Sequence, residues 1–173
     1  MSSSASEADE QSVADPVARV RAAASARGLS IEVRERPVAR SLGEAAEILG
    51  LRPADIVKTL VVKRADDTYL FALIPGDRGI SWPKLRAVVG VNKLQLPDPQ
   101  RALDATGYER GTITPIGSAT DWPVYADTDI VGRRIAMGAG AHGYSVFVDA
   151  DDLIVAYGAT VADISQPVED LGQ

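Results

Sequence analysis

The sequence contains no cysteine in 173 residues, which removes disulfides, thiolate nucleophiles, zinc–thiolate sites and iron–sulfur clusters together. Histidine occurs once, at His142. A catalytic zinc site therefore has little to build on, and a Ser-His-Asp triad would need that one base while no G-x-S-x-G elbow presents a serine. No run of about 18 apolar residues is available to cross a bilayer. The opening MSSSASEADEQ also lacks the basic start and apolar stretch of a secretory signal. The expectation is a cytoplasmic protein without a membrane partner.

What is present is the composition of a folded domain, since 46% hydrophobic and 24% charged residues exclude a mostly disordered or collagen-like chain. The length suits one core. The formal net charge of −6 is unevenly spread: Glu7, Asp9, Glu10 and Asp15 precede any base, and Asp163, Glu169 and Asp170 lie near the end. Taking those seven from 24 leaves 17 acids against 18 bases, so residues 16–162 carry about +1 and do not repel RNA. Six arginines (Arg19, Arg21, Arg27, Arg34, Arg36, Arg40) open that stretch. They meet phosphates or form a solvated face, and the second reading suits most of them. Residues 1–14, with almost nothing to bury, are read as a disordered leader, residues 15–166 as the domain, and residues 167–173 as a tail.

Along the domain, Val17, Val20 and Ala24 recur at helical spacing before Gly28. IEVRERPV alternates as a strand ended by Pro37. Ser41 and Glu44 have capping-box spacing, and Leu42, Ala45, Ala46 and Leu49 form an apolar stripe stopped by Gly50. IVKTLVVK and YLFALIPG flank the turn-prone RADDT and predict a central hairpin. Short helices are expected at 82–89 and 101–106, strands in PVYAD, DIVGRRIAM and YSVFV, a helix with acidic caps in DADDLIVAYG, and a last strand in TVADIS. This order predicts a mixed α/β fold with a largely antiparallel sheet flanked by helices.

Residues 138–143, GAGAHG, match the G-x-G-x-x-G pattern of dinucleotide sites. That pattern delivers a pyrophosphate to the start of a helix. Here Tyr-Ser-Val-Phe-Val follows, with strand character, so the glycines join two strands and no nicotinamide or flavin cofactor is expected. Two other features carry more chemistry. Lys58 falls in phase with Ile56, Leu60 and Val62, so it either snorkels from the strand end or anchors a phosphate or carboxylate at the rim of an apolar pocket. The loop Gly111-Thr-Ile-Thr-Pro115-Ile-Gly117 is either an ordinary tight loop or one that brings backbone N–H groups close to a ligand.

In order, DIVKTLVVK, LIPGD, ALDATGYERGTITPIG, the glycine-rich hairpin and DLIVAYGATVADI resemble the YbaK/ProX family of aminoacyl-tRNA editing domains, over about residues 20–165. The Lys58–Thr59 pair and the G-x-x-x-P spacing of Gly111 to Pro115 carry the resemblance most specifically. It implies a YbaK/ProX-like fold and a free-standing, trans-acting hydrolase for the ester of mischarged tRNA, typically cysteinyl- or alanyl-tRNA(Pro). The partner it implies is the acceptor end of aminoacyl-tRNA, with a synthetase as a second partner and no DNA. On this resemblance Lys58 holds the terminal nucleotide, and Gly111 presents its N–H to the ester carbonyl. Thr59, Pro115, Gly117, Gly138, His142 and Ser145 border the substrate. Water and the substrate's own ribose hydroxyl complete the chemistry without metal or cofactor.

The chain departs from its relatives where several carry serine and aspartate in the late hairpin and this one has Gly138 and Ser145. It departs again at Arg36, where an aromatic is common. Those departures motivate an alternative, a non-catalytic module that binds aminoacyl-tRNA or a synthetase. His142 either joins the pocket or faces solvent, and a solvent-facing loop histidine needs no special explanation.

Overall fold

The computed structural model describes residues 16–168. The leader read over 1–14 lies outside them, as does all of the tail beyond residue 168. Helix α1 covers residues 16–26 and buries Val17, Val20 and Ala24, the three positions its periodicity selects. Strand β1 (Glu32–Glu35) and helix α2 (Leu42–Leu49) follow. Ser41 caps α2 by accepting the Glu44 N–H at 3.1 Å, and Gly50, at φ +67°, closes it with an N–H to the Ala46 and Glu47 carbonyls. A single 3₁₀ turn, Pro53–Asp55, leads into β2 (Val57–Arg64), which pairs antiparallel with β3 (Tyr69–Pro75) from Val57↔Pro75 to Lys63↔Tyr69. The turn between them is held by Asp66, whose Oδ1 accepts from the Thr68 hydroxyl at 2.6 Å and the Thr68 N–H at 3.2 Å.

The remaining elements are β4 (Arg78–Ile80), α3 (Trp82–Val89), β5 (Leu94–Gln95), α4 (Pro99–Thr106), β6 (Val124–Asp127), a 3₁₀ turn (Thr128–Ile130), β7 (Arg134–Gly138), β8 (Tyr144–Asp149), α5 (Ala150–Tyr157), β9 (Thr160–Ala162) and β10 (Ser165–Pro167). The fold is mixed α/β. Five strands form one sheet in the order β5-β2-β3-β6-β9, three form another in the order β1-β8-β7, and β10 pairs with β4. The β3–β6 and β6–β9 pairs are parallel and the others antiparallel. A parallel bridge between Ile56 and Ala136 brings β2 alongside β7 and ties the two larger sheets together.

Alternation along β2 splits the interior into two cores. Val57 and Val61 pack with Phe71, Leu73 and the β7–β8 residues Ile135, Val146 and Val148. Val62 and Leu60 pack with Leu70, Ala72, Ile74, Leu85 and Ile164 on the other face. Lys58, in phase with Leu60 and Val62, stands at the end of this second row.

Three local expectations change. DIVGRRIAM is not one strand: the Asp127 carboxylate accepts the Asp129 N–H at 2.9 Å, winding residues 128–130 into a 3₁₀ turn, and Gly132 at φ +77° delays the strand to Arg134. TVADIS splits into β9 and β10, because Asp127 also accepts the Ile164 N–H at 3.1 Å and bends the chain between sheets. The acids at the start of α5 do not cap it; Asp149 makes no cap hydrogen bond, and Asp151 instead accepts the Gly132 N–H at 2.8 Å.

Candidate functional site

A cavity of about 610 Å³ opens where β2, α2, the start of α4, the loop after α4 and the β7–β8 hairpin meet. Its volume falls within the ~300–1,000 Å³ of ordinary ligand sites. The floor is Ile56 and β2 from Val57 to Val61, and one wall is α2 with Leu42, Ala45 and Leu49. Leu96, Pro97 and Pro99 make a second wall, and Gly111, Ile113, Met137, Gly138 and Ser145 a third.

Lys58 is half-buried and donates from Nζ to the Arg78 carbonyl at 2.6 Å. It has no carboxylate within ion-pair distance among the described residues. Burial pushes its pKa down, and the charge of Asp77 opposes this more weakly. Next to it, the Thr59 hydroxyl oxygen is buried and has no hydrogen-bond partner among the described residues. Such an orphan costs about 1–3 kcal/mol unless a ligand or water pairs with it.

The loop after α4 is rigidly seated. Gly107, at φ +79°, ends the helix, and the buried Tyr108 donates its hydroxyl to the Ile116 carbonyl at 2.8 Å, closing residues 108–116 on themselves. Burial raises the pKa of that phenol. Arg19 lies over its ring at 4.7 Å. The loop then docks on the hairpin: the Gly140 N–H donates to the Thr112 carbonyl at 2.9 Å. At Gly138 an added Cβ would stand 2.6 Å from the Ile113 oxygen and 2.7 Å from that of Thr112. Residues 138–143, which match a phosphate-binding pattern, therefore join antiparallel strands and seat the loop, with no helix following.

Gly111 adopts φ +90°, and a Cβ there would meet nothing nearer than the His142 imidazole at 3.7 Å. Gly111→Ala is thus expected to cost about 1–2 kcal/mol through the left-handed backbone alone, without collision. Urea unfolding of the variant, compared with the larger loss expected at a clashing glycine, checks this.

Of the residues singled out in the sequence, Lys58, Thr59, Gly111, Gly138 and Ser145 line the cavity together. Pro115 and Gly117 do not; Pro115 is buried behind the loop, and a Cβ on Gly117 would stand 2.6 Å from the Tyr108 hydroxyl. His142 is also off the cavity wall: its side chain is 54% exposed and its Nε2 lies 3.3 Å from Glu109.

Three residues not singled out as site residues line the cavity: Arg36, Arg40 and Arg110. Arg36, part-buried, donates from Nε to the Ser145 hydroxyl at 2.8 Å and from Nη1 to the Pro37 carbonyl at 3.0 Å. Their signal is faint: Arg36 directly precedes Pro37, Arg40 precedes the Ser41 cap and Arg110 directly precedes Gly111. With Lys58 they make four cations in a cavity lining that carries no aspartate or glutamate among the described residues. No group of three or more His, Asp or Glu positioned to hold a metal occurs among the described residues.

Residues 36–155 match the family described as the aminoacyl-tRNA editing domain. Relatives include the proline–tRNA ligases of Heliobacterium modesticaldum, 33% identical over 116 residues, and of Shouchella clausii, 36% identical over 115. Each alignment takes in 66% of this chain but 20% of the ligase, so the chain spans about a fifth of those relatives. Among solved structures, a protein described as a candidate trans-editing enzyme for prolyl tRNA synthetase superposes with a TM-score of 0.81 at 28% identity, covering 87% of this chain and 97% of that one. The hypothetical protein APE2540 gives 0.80 at 27%, covering 86% and 99%. The matched residues contain the whole β2 floor, the Gly111 loop and the glycine hairpin, and on that basis the chain belongs to the aminoacyl-tRNA editing domain family.

Proposed function

We propose that the protein is a trans-acting deacylase that hydrolyses the ester of mischarged tRNA, with cysteinyl- or alanyl-tRNA(Pro) as its substrate. The observation that carries this reading is the meeting of Lys58 and Gly111 in one cationic cavity. The Lys58 ammonium, held by one carbonyl and no carboxylate, anchors the terminal nucleotide. The Gly111 N–H, which has no acceptor among the described residues, donates to the ester oxygen as negative charge develops there. One such donor is worth about 3–4 kcal/mol where water is excluded.

Water adds to the ester carbonyl, the bond to the ribose oxygen breaks, and the proton passes to that oxygen, leaving free amino acid and intact tRNA. The substrate's neighbouring ribose hydroxyl orients the water, and no protein nucleophile takes part. Thr59, Gly138 and Ser145 border the aminoacyl group. Because one methylene is worth only about 1–3 kcal/mol, the apolar walls select by excluding bulk more than by gripping. Similarity to part of proline–tRNA ligases supports tRNA(Pro) as the carrier, association with the synthetase and work in the cytoplasm.

Incubation with a panel of charged tRNAs, read by acid-precipitable label, tests the proposal. Cysteinyl- or alanyl-tRNA(Pro) is expected to lose its amino acid well above the buffer rate while prolyl-tRNA(Pro) survives. Buffer-rate loss of every member overturns it, and tight binding without loss reassigns the chain as a binding module.

A further inference from the structure

Resting on the reading that the cavity receives a tRNA end, we infer that Arg40 and Arg110 form a phosphate clamp for the single-stranded 3′ end. Arg40 stands at the N-terminal edge of α2, and Arg110 lies on the loop after α4 beside Gly111. The two are 70 positions apart in the sequence, yet both line one cavity mouth. Both are exposed, and neither guanidinium has a carboxylate or hydrogen-bond acceptor among the described residues. The Glu44 carboxylate accepts from the Arg40 backbone N–H at 3.4 Å and makes no ion pair with its side chain.

Arginines elsewhere divide: Arg21, Arg64 and Arg86 also lack an ion pair among the described residues but lie off the cavity, so what sets Arg40 and Arg110 apart is lining it together. Arg27, Arg52, Arg78, Arg101, Arg133 and Arg134 all sit in ion pairs with aspartate. The two at the mouth are left unneutralised in a chain of net charge −6. Two unneutralised cations lining one cavity raise the local potential and attract an anion into it. A ligand with a single charge near its reactive end would be served by Lys58 alone. Additional cations contributed by two separate segments suit a ligand with successive negative charges, as the phosphodiesters of a short single strand provide. Leu96, 52% exposed, and Pro97 and Pro99 supply an apolar shelf on the same mouth against which a base can lie.

The test is equilibrium binding of a fluorescent RNA stem-loop that has a short single-stranded 3′ end and carries no amino acid, measured by anisotropy over a salt series. Each lost phosphate contact lowers the slope of log K against log salt by about 0.7 for single strands. The double variant Arg40→Ala/Arg110→Ala is therefore expected to lose about 1.4 from the slope and to bind on the order of tenfold more weakly at low salt. Arg21→Ala, an exposed arginine off the cavity, serves as control and should bind as the wild type does.

Trimming the RNA to a blunt stem should weaken wild-type binding and erase the difference between wild type and the double variant. An unchanged slope in the double variant overturns the clamp, and equal losses on the blunt stem show that the arginines touch duplex instead. Because the RNA carries no amino acid, the outcome does not depend on hydrolysis: failure of the deacylation panel with a positive salt result sinks the enzyme reading and keeps the clamp.

Discussion

Lys58→Met is expected to reduce deacylation by on the order of 100-fold in kcat/KM while leaving the protein at least as stable as the wild type at neutral pH. The loss follows from removing a desolvated, charge-assisted contact, worth about 2–4 kcal/mol when its partner is left unpaired. The retained stability follows from the same burial. Lys58 has one carbonyl partner at 2.6 Å and sits at the end of the row made by Leu60 and Val62, so its ammonium is held in the folded state against its solvation preference. Methionine keeps the length of the stem and removes that cost.

The sign of the accompanying pH effect is fixed by the direction of the shift. With the folded-state pKa below the ordinary 10.5, the unfolded chain binds more protons between those two values, and stability rises with pH across that window. Activity moves the other way, falling as the ammonium loses its proton. Urea midpoints on the alkaline side should therefore climb in the wild type relative to Lys58→Met while the wild-type rate declines. A methionine variant that unfolds early, or one that still turns over at the wild-type rate, contradicts the anchoring role.

Gly138→Ala is expected to lower stability by about 1–3 kcal/mol and the rate by on the order of 100-fold. The added methyl group would stand 2.6 and 2.7 Å from the carbonyl oxygens of Ile113 and Thr112. Those atoms are backbone and cannot rotate away as a side chain can. Relief requires the loop that carries Gly111 to slide off the hairpin, stretching the 2.9 Å bond from the Gly140 N–H to the Thr112 carbonyl. Ser145→Ala, opposite Gly138 in the β7–β8 register, removes the hydroxyl that accepts from Arg36 without any collision. Comparing the two by urea unfolding and kcat/KM separates displacement of the loop from loss of a polar wall. If Gly138→Ala unfolds and reacts as the wild type does, the hairpin is not the seat of the loop.

Features set by neighbouring residues are legible in the amino-acid order itself. The Ser41 cap and Gly50 stop of α2, the β2–β3 hairpin and the strand after GAGAHG rest on local turn chemistry and side-chain period. Resemblance adds Lys58 and Gly111 as partners, and both line the cavity. Pairings that depend on distant segments are not legible. Nothing in PVYAD announces that β6 runs parallel to β3, and β4 and β5, three and two residues long, are too short to show a period. DIVGRRIAM misleads because its apolar alternation masks a local turn, in which the Asp127 carboxylate accepts the N–H of Asp129 two residues on. The cationic mouth is hidden for a related reason. Net charge and charge runs describe the chain as a line, whereas Arg36, Arg40, Lys58 and Arg110 become neighbours through three different connections.

That dispersal bears on when the cavity is completed during the protein's own synthesis. The cavity draws on residues from Arg36 to Ser145, with β2 supplying the floor early and the glycine hairpin completing the wall late. A nascent chain that has emerged only through β3 presents Lys58 on a hairpin but has neither Gly111 nor the strand that seats its loop. The cavity thus stays incomplete on the ribosome until about residue 145 is free to fold. On the proposed function, hydrolysis of charged tRNA begins only after that wall has been translated.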